Sequence, residues 1–146
     1  MAQLIWIAGF NAVGKQHMLS RLLVNEKLCE QFEISNDRVP CGLDLQAICT
    51  ELDSHAAVIV KWQYNERELV QKVCEDRPND SHTVIHLHRD REEQFQAYRA
   101  RPVRGSRQQF LEWGQTCKRA VEVYRACNLP ITFIDVVAIE DQYIII

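Results

Sequence analysis

The run Leu4-Ile-Trp-Ile-Ala8 leads directly into Gly9-Phe-Asn-Ala-Val-Gly14-Lys15, and then into a segment with helical periodicity. Apolar strand, glycine-bounded loop and helix, in that order, restrict the start of the chain to a βα unit with backbone N–H groups gathered at the turn. Glycines let those amides crowd an anion, the helix N-terminus adds partial positive charge, and Lys15 can reach outer phosphate oxygens. The spacing is that of a Walker A loop. Gly9, Asn11, Ala12, Val13, Gly14, Lys15 and Gln16 are therefore expected to hold a polyphosphate. Gln16 departs from the pattern, because a Ser or Thr hydroxyl at this position ordinarily ligates Mg²⁺.

Beyond the loop, short apolar strands alternate with longer periodic segments, the pattern of βαβ units around a parallel sheet. Leu19, Leu22, Leu23 and Leu28 mark a first helix reaching about Glu30. Phe32-Glu-Ile34 reads as a weak second strand ended by the turn-rich 35–40, and a short helix follows over 43–52. Ala56 to Trp62 is a buried strand. Asn65 with Glu68, Asp90 with Glu93, and Ser106 with Gln109 have the spacing of capping boxes that open three further helices. His82 to His88 forms a fourth strand between the first two of these. Phe110, Trp113, Cys117, Val121 and Tyr124 stripe one face of a long helix. Ile131 to Val137 closes a five-stranded sheet. The tail, Gln142 to Ile146, is expected to form an edge strand or a homodimer contact.

Composition narrows the function classes. A chain of 146 residues suits one domain with a real core. A net charge of −3 and a pI near 5.9 argue against bulk attraction to nucleic acid or anionic membrane. No apolar run is long enough to span a bilayer, and the first residues lack a signal-peptide pattern. Six cysteines, at 29, 41, 49, 74, 117 and 127, show no C-x-x-C pair. Free thiols in a reducing cytoplasm are the simplest expectation. His86 and His88 share one face of a strand, but no third ligand is spaced to complete a zinc site.

With these elements in place the chain resembles a P-loop kinase of the nucleoside and nucleotide kinase type. Two pieces carry the resemblance: Gly9 to Gln16, and Val84-Ile-His-Leu-His-Arg-Asp-Arg-Glu-Glu followed by Tyr98-Arg-Ala-Arg-Pro-Val-Arg-Gly105. It implies a three-layer α/β domain over 1–146, with a mainly parallel sheet and an arginine-rich lid over 94–107. It also implies ATP as donor, with Mg²⁺, and a hydroxyl or phosphate of a nucleoside, nucleotide or modified DNA base as acceptor. Small P-loop kinases of phage that phosphorylate hydroxymethyl-pyrimidines in DNA are similar. The chain departs from the family where its third strand ends in Lys61-Trp62, with no Walker B aspartate.

The residues then take expected roles. Lys15 holds the donor phosphates. Arg99, Arg101, Arg104 and Arg107 lie in a 14-residue stretch, Gln94 to Arg107, without an acidic residue. Pro102 and Gly105 mark a bend in this stretch, and Arg99 and Arg104 are the expected lid pair. Asp37 stands where related kinases keep an acidic base, with Asp44 in reserve and Arg38 placed to touch an acceptor phosphate. Lys61, Trp62 and Gln63 leave the third strand at the loop's rim, where Trp62 can stack a base and Gln63 can bond its edge. Asp90 supplements Gln16 as a distant metal carboxylate. The competing reading is a nucleotide-binding regulatory module that keeps the loop and has lost efficient transfer.

Overall fold

The computed structural model describes residues 1–10, 13–64, 66–100, 106–126 and 128–146, with the backbone alone for Trp113 and Cys117. Among the described residues, twelve elements follow one another along the chain. They are β1 (Gln3–Gly9), α1 (Lys15–Val24), α2 (Glu26–Gln31), β2 (Arg38–Cys41), α3 (Leu45–Ser54), β3 (Ala57–Trp62), α4 (Arg67–Asp76), β4 (Ser81–His88), α5 (Arg91–Arg99), α6 (Arg107–Ala126), β5 (Thr132–Ile139) and β6 (Gln142–Ile145). The strands form one six-stranded sheet in the order β2-β3-β1-β4-β5-β6. All pairings are parallel except β5 with β6. The expected sheet thus gains a strand, because the apolar tail folds back antiparallel along β5.

β1 sits between β3 and β4, so both of its faces must be apolar. Leu4, Trp6 and Ala8 point to one side and pack with Val58, Val60, Trp62, Val70, Val73 and Tyr124. Ile5 and Ile7 point to the other and pack with Val13, Met18, Leu22, Leu28 and Ile59. The sheet is therefore the middle of three layers, with α1 and α2 against one face and α3, α4 and α6 against the other.

The second strand lies later than its apolar signal suggests. Residues 32–34 form the end of α2 and a turn in which Glu33 takes φ 56, and the strand runs instead through Arg38–Cys41. Among the described residues it pairs only with β3, and Pro40, which has no N–H to donate, is tolerable on such an edge. Two of the proposed capping boxes can be compared with the described residues. Ser106 and Gln109 exchange bonds reciprocally, at 2.9 and 3.1 Å. Asp90 accepts from the Glu93 amide at 3.0 Å, while the Glu93 carboxylate turns to Arg89. Asn65 lies outside the described residues.

Candidate phosphate-binding site

β1 ends at Gly9 with φ 152, and a Cβ there would sit 2.8 Å from Val13 Cγ1 and 3.0 Å from the Leu87 carbonyl oxygen. Gly14, at φ 104 and ψ 28, turns the chain into α1 as its N-cap without a side-chain capping bond. A left-handed N-cap is available to glycine at little cost. It leaves the first-turn amides of a ten-residue helix unspent on any side-chain cap, the arrangement that suits an anion. Lys15 is only 6% exposed, and its Nζ donates back to the carbonyls of Gly9 and Phe10, at 3.2 and 3.0 Å. The ammonium is thereby tucked around the loop that it would help to charge-balance. Asn11 and Ala12, expected to contribute to the same loop, lie outside the described residues.

A cleft of about 690 Å³ opens beside the loop, lined among others by Val13, Gly14, His17, Arg89, Glu93 and Asp141. It lies between the start of α1, α5 and the β5–β6 turn, at the carboxyl edge of the sheet. Pockets of this size enclose small-molecule ligands. His17 directly follows the loop in the chain, but no pattern in the sequence marks Arg89 as its neighbour, because α5 and the β5–β6 turn reach the cleft from segments far away.

The expected metal position has an unexpected occupant. Lys61, next to last in β3, donates from Nζ to Gln16 Oε1 at 3.1 Å, and Gln16 Nε2 donates to Ser20 Oγ at 3.3 Å. An amide oxygen already bound by an ammonium is a poor start for a dication, and Mg²⁺ prefers carboxylate and hydroxyl oxygens. The residues present do not fit a protein-held Mg²⁺ at Gln16. Asp90 caps α5 instead of turning to the loop.

On the opposite face of the sheet, His86, His88 and Asp135 bring ligand atoms within 4.8 Å of one another. The expectation that no third ligand joins the histidines is corrected by the register, which places Asp135 beside His86. Arg125 donates to both Asp135 oxygens at 2.8 Å, and His88 Nε2 donates to Oδ1 at 2.9 Å. Burial disfavours the Asp135 carboxylate, but the bonds from Arg125 and His88 outweigh it and hold the carboxyl below its usual range. A guanidinium on both oxygens makes this group an ion-paired network first. His86 is 4% exposed, with the Tyr64 hydroxyl 2.5 Å from its Nδ1. Burial, joined by the nearby His88, pushes its pKa down to about 4, so the ring is neutral.

No family model and no curated protein matches the sequence. Among solved structures, the chain is similar to a gluconokinase from Sinorhizobium meliloti 1021, at TM-score 0.50 and 18% identity. That match covers 91% of this chain and 82% of the gluconokinase. The fold is P-loop kinase-like. An uncharacterized protein from Eubacterium ventriosum ATCC 27560 aligns at TM-score 0.43 and 13% identity over 94% of this chain and 90% of its own. In this fold Gly9 ends the central strand, and Gly14 and Lys15 open the helix that follows it.

Several expected site residues fall elsewhere. Asp37 precedes β2 instead of following a strand, level with Ala56 at the amino edge of the sheet. The length of β3 therefore separates it from the loop, roughly 16 Å of strand. Its carboxylate accepts from His55 Nδ1 at 2.7 Å and from the Ala56 amide at 3.0 Å, and these bonds hold it below the usual range. Arg38 is a buried brace. Its Nε donates to the Leu22 carbonyl at 2.6 Å, and its guanidinium pairs with Glu26 at 3.0 Å. Trp62, 1% exposed, packs against Trp6, Tyr64 and Tyr124 and offers no face to a base. Gln63 is exposed just past β3.

Asp44, the reserve carboxylate, follows β2 at the carboxyl edge of the sheet, capping α3 through a bond from the Ala47 amide at 2.9 Å. In the lid segment, Arg99 ends α5, and Arg107 pairs with Glu92 at 3.0 Å while lying 4.0 Å over the Phe95 ring. Arg101 and Arg104 are outside the described residues. The second cation of the expected lid pair thus has no described position, and Arg107 is committed to its own helix hairpin.

Proposed function

We propose that this chain is a phosphotransferase of P-loop kinase type, using ATP or another nucleoside triphosphate as donor. The acceptor would be a hydroxyl or phosphate of a nucleoside, a nucleotide or a modified base in DNA. The observation that carries the reading is the loop itself. Gly9 and Gly14 take backbone angles suited to glycine, the first turn of α1 has no side-chain cap, and Lys15 folds around the turn. The adjoining cleft of about 690 Å³ supports it, being large enough for the rest of a nucleotide.

In such a reaction the protein positions groups and balances charge more than it makes bonds. The loop amides and Lys15 bind the outer phosphates, and Arg99 approaches as α5 closes over the loop. The acceptor oxygen forms a bond to the γ-phosphorus as the bond to the β–γ bridging oxygen breaks, and the donor leaves as a diphosphate. Asp44, on the loop's edge of the sheet, is the carboxylate to receive the acceptor proton; Asp37, on the other edge, is not. The pairing of Gln16 with Lys61 favours a second reading, a nucleotide-binding module with weakened transfer.

A thermal-shift panel of nucleoside mono-, di- and triphosphates tests the core of the proposal. Triphosphates should raise the melting temperature, since a ligand of the native state stabilises by mass action. Lys15→Ala should abolish the rise. Absence of any shift with every triphosphate would sink both readings. Binding without transfer to any nucleoside, nucleotide or DNA acceptor would select the second.

A further inference from the structure

The pairing of Lys61 with Gln16 has more content than the loss of a metal ligand. Along β3, Ile59 points into the core layer that holds Met18 and Leu22 of α1. Lys61, two residues on, faces the same side. One strand step beyond the core, its side chain clears the apolar layer and meets the first turn of α1. Gln16 is fixed from both ends there, accepting from Lys61 and donating to Ser20. In P-loop enzymes generally, Mg²⁺ at this place is held by a loop Ser or Thr and by an acidic residue. Here both are exchanged, one for an amide and the other for an ammonium, and the two replacements touch.

Charge adds to the argument. Arg38, Arg77, Arg107 and Arg125 are each tied to a carboxylate. Among the described residues no carboxylate pairs with Lys61, which is exposed and held only by a neutral amide. Its ammonium sits on the side chain of Gln16, the residue that follows Lys15 in the chain. A dication brought to that point meets an ammonium, whereas a polyphosphate meets two.

We propose that Lys61 takes over the charge-balancing task of the divalent cation, so that a nucleoside triphosphate binds here without metal. This rests on the nucleotide-binding reading above. Lys61 is then a binding residue toward the donor, in place of the acceptor contact that its position at the strand end suggests. The ammonium supplies one positive charge and up to three donors to phosphate oxygens, with Gln16 as the tether that aims it.

The test is calorimetric titration of the full chain with ATP, in excess EDTA and in excess MgCl₂. The two affinities should agree within about threefold, and Lys61→Met should weaken binding in EDTA by about tenfold, the order expected for losing one charge-assisted hydrogen bond to phosphate. Lys61→Arg should retain most of the affinity. Because Lys61 is exposed and makes one bond, Lys61→Met should melt like the parent, separating binding from folding. The double variant Gln16→Ser/Lys61→Asp should bind ATP in MgCl₂ and lose it in EDTA. Binding by the parent only in MgCl₂ would overturn the proposal and leave the nucleotide reading standing. Equal affinities unaffected by Lys61→Met would overturn the role of Lys61. No binding in either buffer would remove the nucleotide reading and this inference with it.

Discussion

Gly9→Ala is the sharpest perturbation of the loop, because backbone angle and space both oppose a side chain. At φ 152 an L-residue is strained, at about 1–3 kcal/mol. The added methyl would also lie 2.8 Å from Val13 Cγ1 and 3.0 Å from the Leu87 carbonyl oxygen. The carbonyl cannot retreat easily, since Leu87 is the registered partner of Gly9 between β4 and β1. Overpacking of this kind costs about 1–3 kcal/mol, so a total near 3 kcal/mol is expected. For a chain of this size that lowers the melting temperature by roughly 6–12 °C. Urea denaturation followed by tryptophan fluorescence gives the free energy directly. Val13→Ala alone should cost about 1.5 kcal/mol for two buried methyl groups. Combined with Gly9→Ala it should cost less than the sum by about 1 kcal/mol, since it removes one of the two collisions. Gly42→Ala, with nothing within 4 Å of the new methyl, is the control and should be near neutral. A Gly9→Ala protein melting within about 1 °C of the parent, or a strictly additive cycle, would refute the reasoning.

Acid should weaken the protein through His86. Its pKa falls from 6.5 to about 4 on folding, chiefly by burial. The unfolded chain therefore takes up the proton first as pH falls, and the contribution, full above pH 6.5, is lost progressively towards pH 4. The loss totals about 3 kcal/mol, and His86→Gln should flatten the pH slope of urea stability, identical slopes being the contrary result. Arg38→Ala should cost about 2–3 kcal/mol by stripping a charged donor from buried carbonyls, while triphosphate binding stays within about twofold; a large affinity loss at unchanged stability would restore Arg38 to the site. Asp44→Asn should slow phosphoryl transfer by about 10²-fold or more and Asp37→Asn should leave it nearly unchanged, measured with labelled ATP once an acceptor is found. The reverse order would show that the edge assignment of the acceptor is wrong.

What was legible in the sequence is what is decided locally. The loop could be read because Gly9, Gly14 and Lys15 carry their geometry in a few adjacent residues, and the capping of α5 and α6 for the same reason. β3 was legible because a strand covered on both faces leaves an apolar run, Ala57 to Val60, and β4 because Val84, Ile85 and Leu87 do the same between its histidines. β2 was not: four residues on an edge, including Pro40, bury too little to leave an apolar run, while Phe32 and Ile34 owe their hydrophobicity to packing around a turn. The misplaced base followed from that shift, since moving the strand later along the chain carries Asp37 from one edge of the sheet to the other. Contacts set by register were beyond reach. Lys61 meets Gln16 across 45 residues and Tyr64 meets His86 across 22, and only the pairing of β3, β1 and β4 brings them together. Trp62 was ambiguous for another reason, because a strand-end tryptophan looks alike whether it faces a ligand or three other rings.

The central place of β1 also has a kinetic consequence. Residues 3–9 find their partners only at 57–62 and 81–88, so the sheet's middle strand cannot be satisfied until distant chain has arrived. Pairings so remote in sequence slow folding, because loop-closure entropy must be met before the contacts form. Meanwhile Leu4-Ile-Trp-Ile-Ala8 is an uncharged, β-prone segment with both edges open, the kind that associates between chains. The strand that leads into the candidate loop is thus an aggregation hazard until β3 and β4 cover both of its edges. Refolding yield should fall with protein concentration more steeply than the stability of the finished fold would suggest.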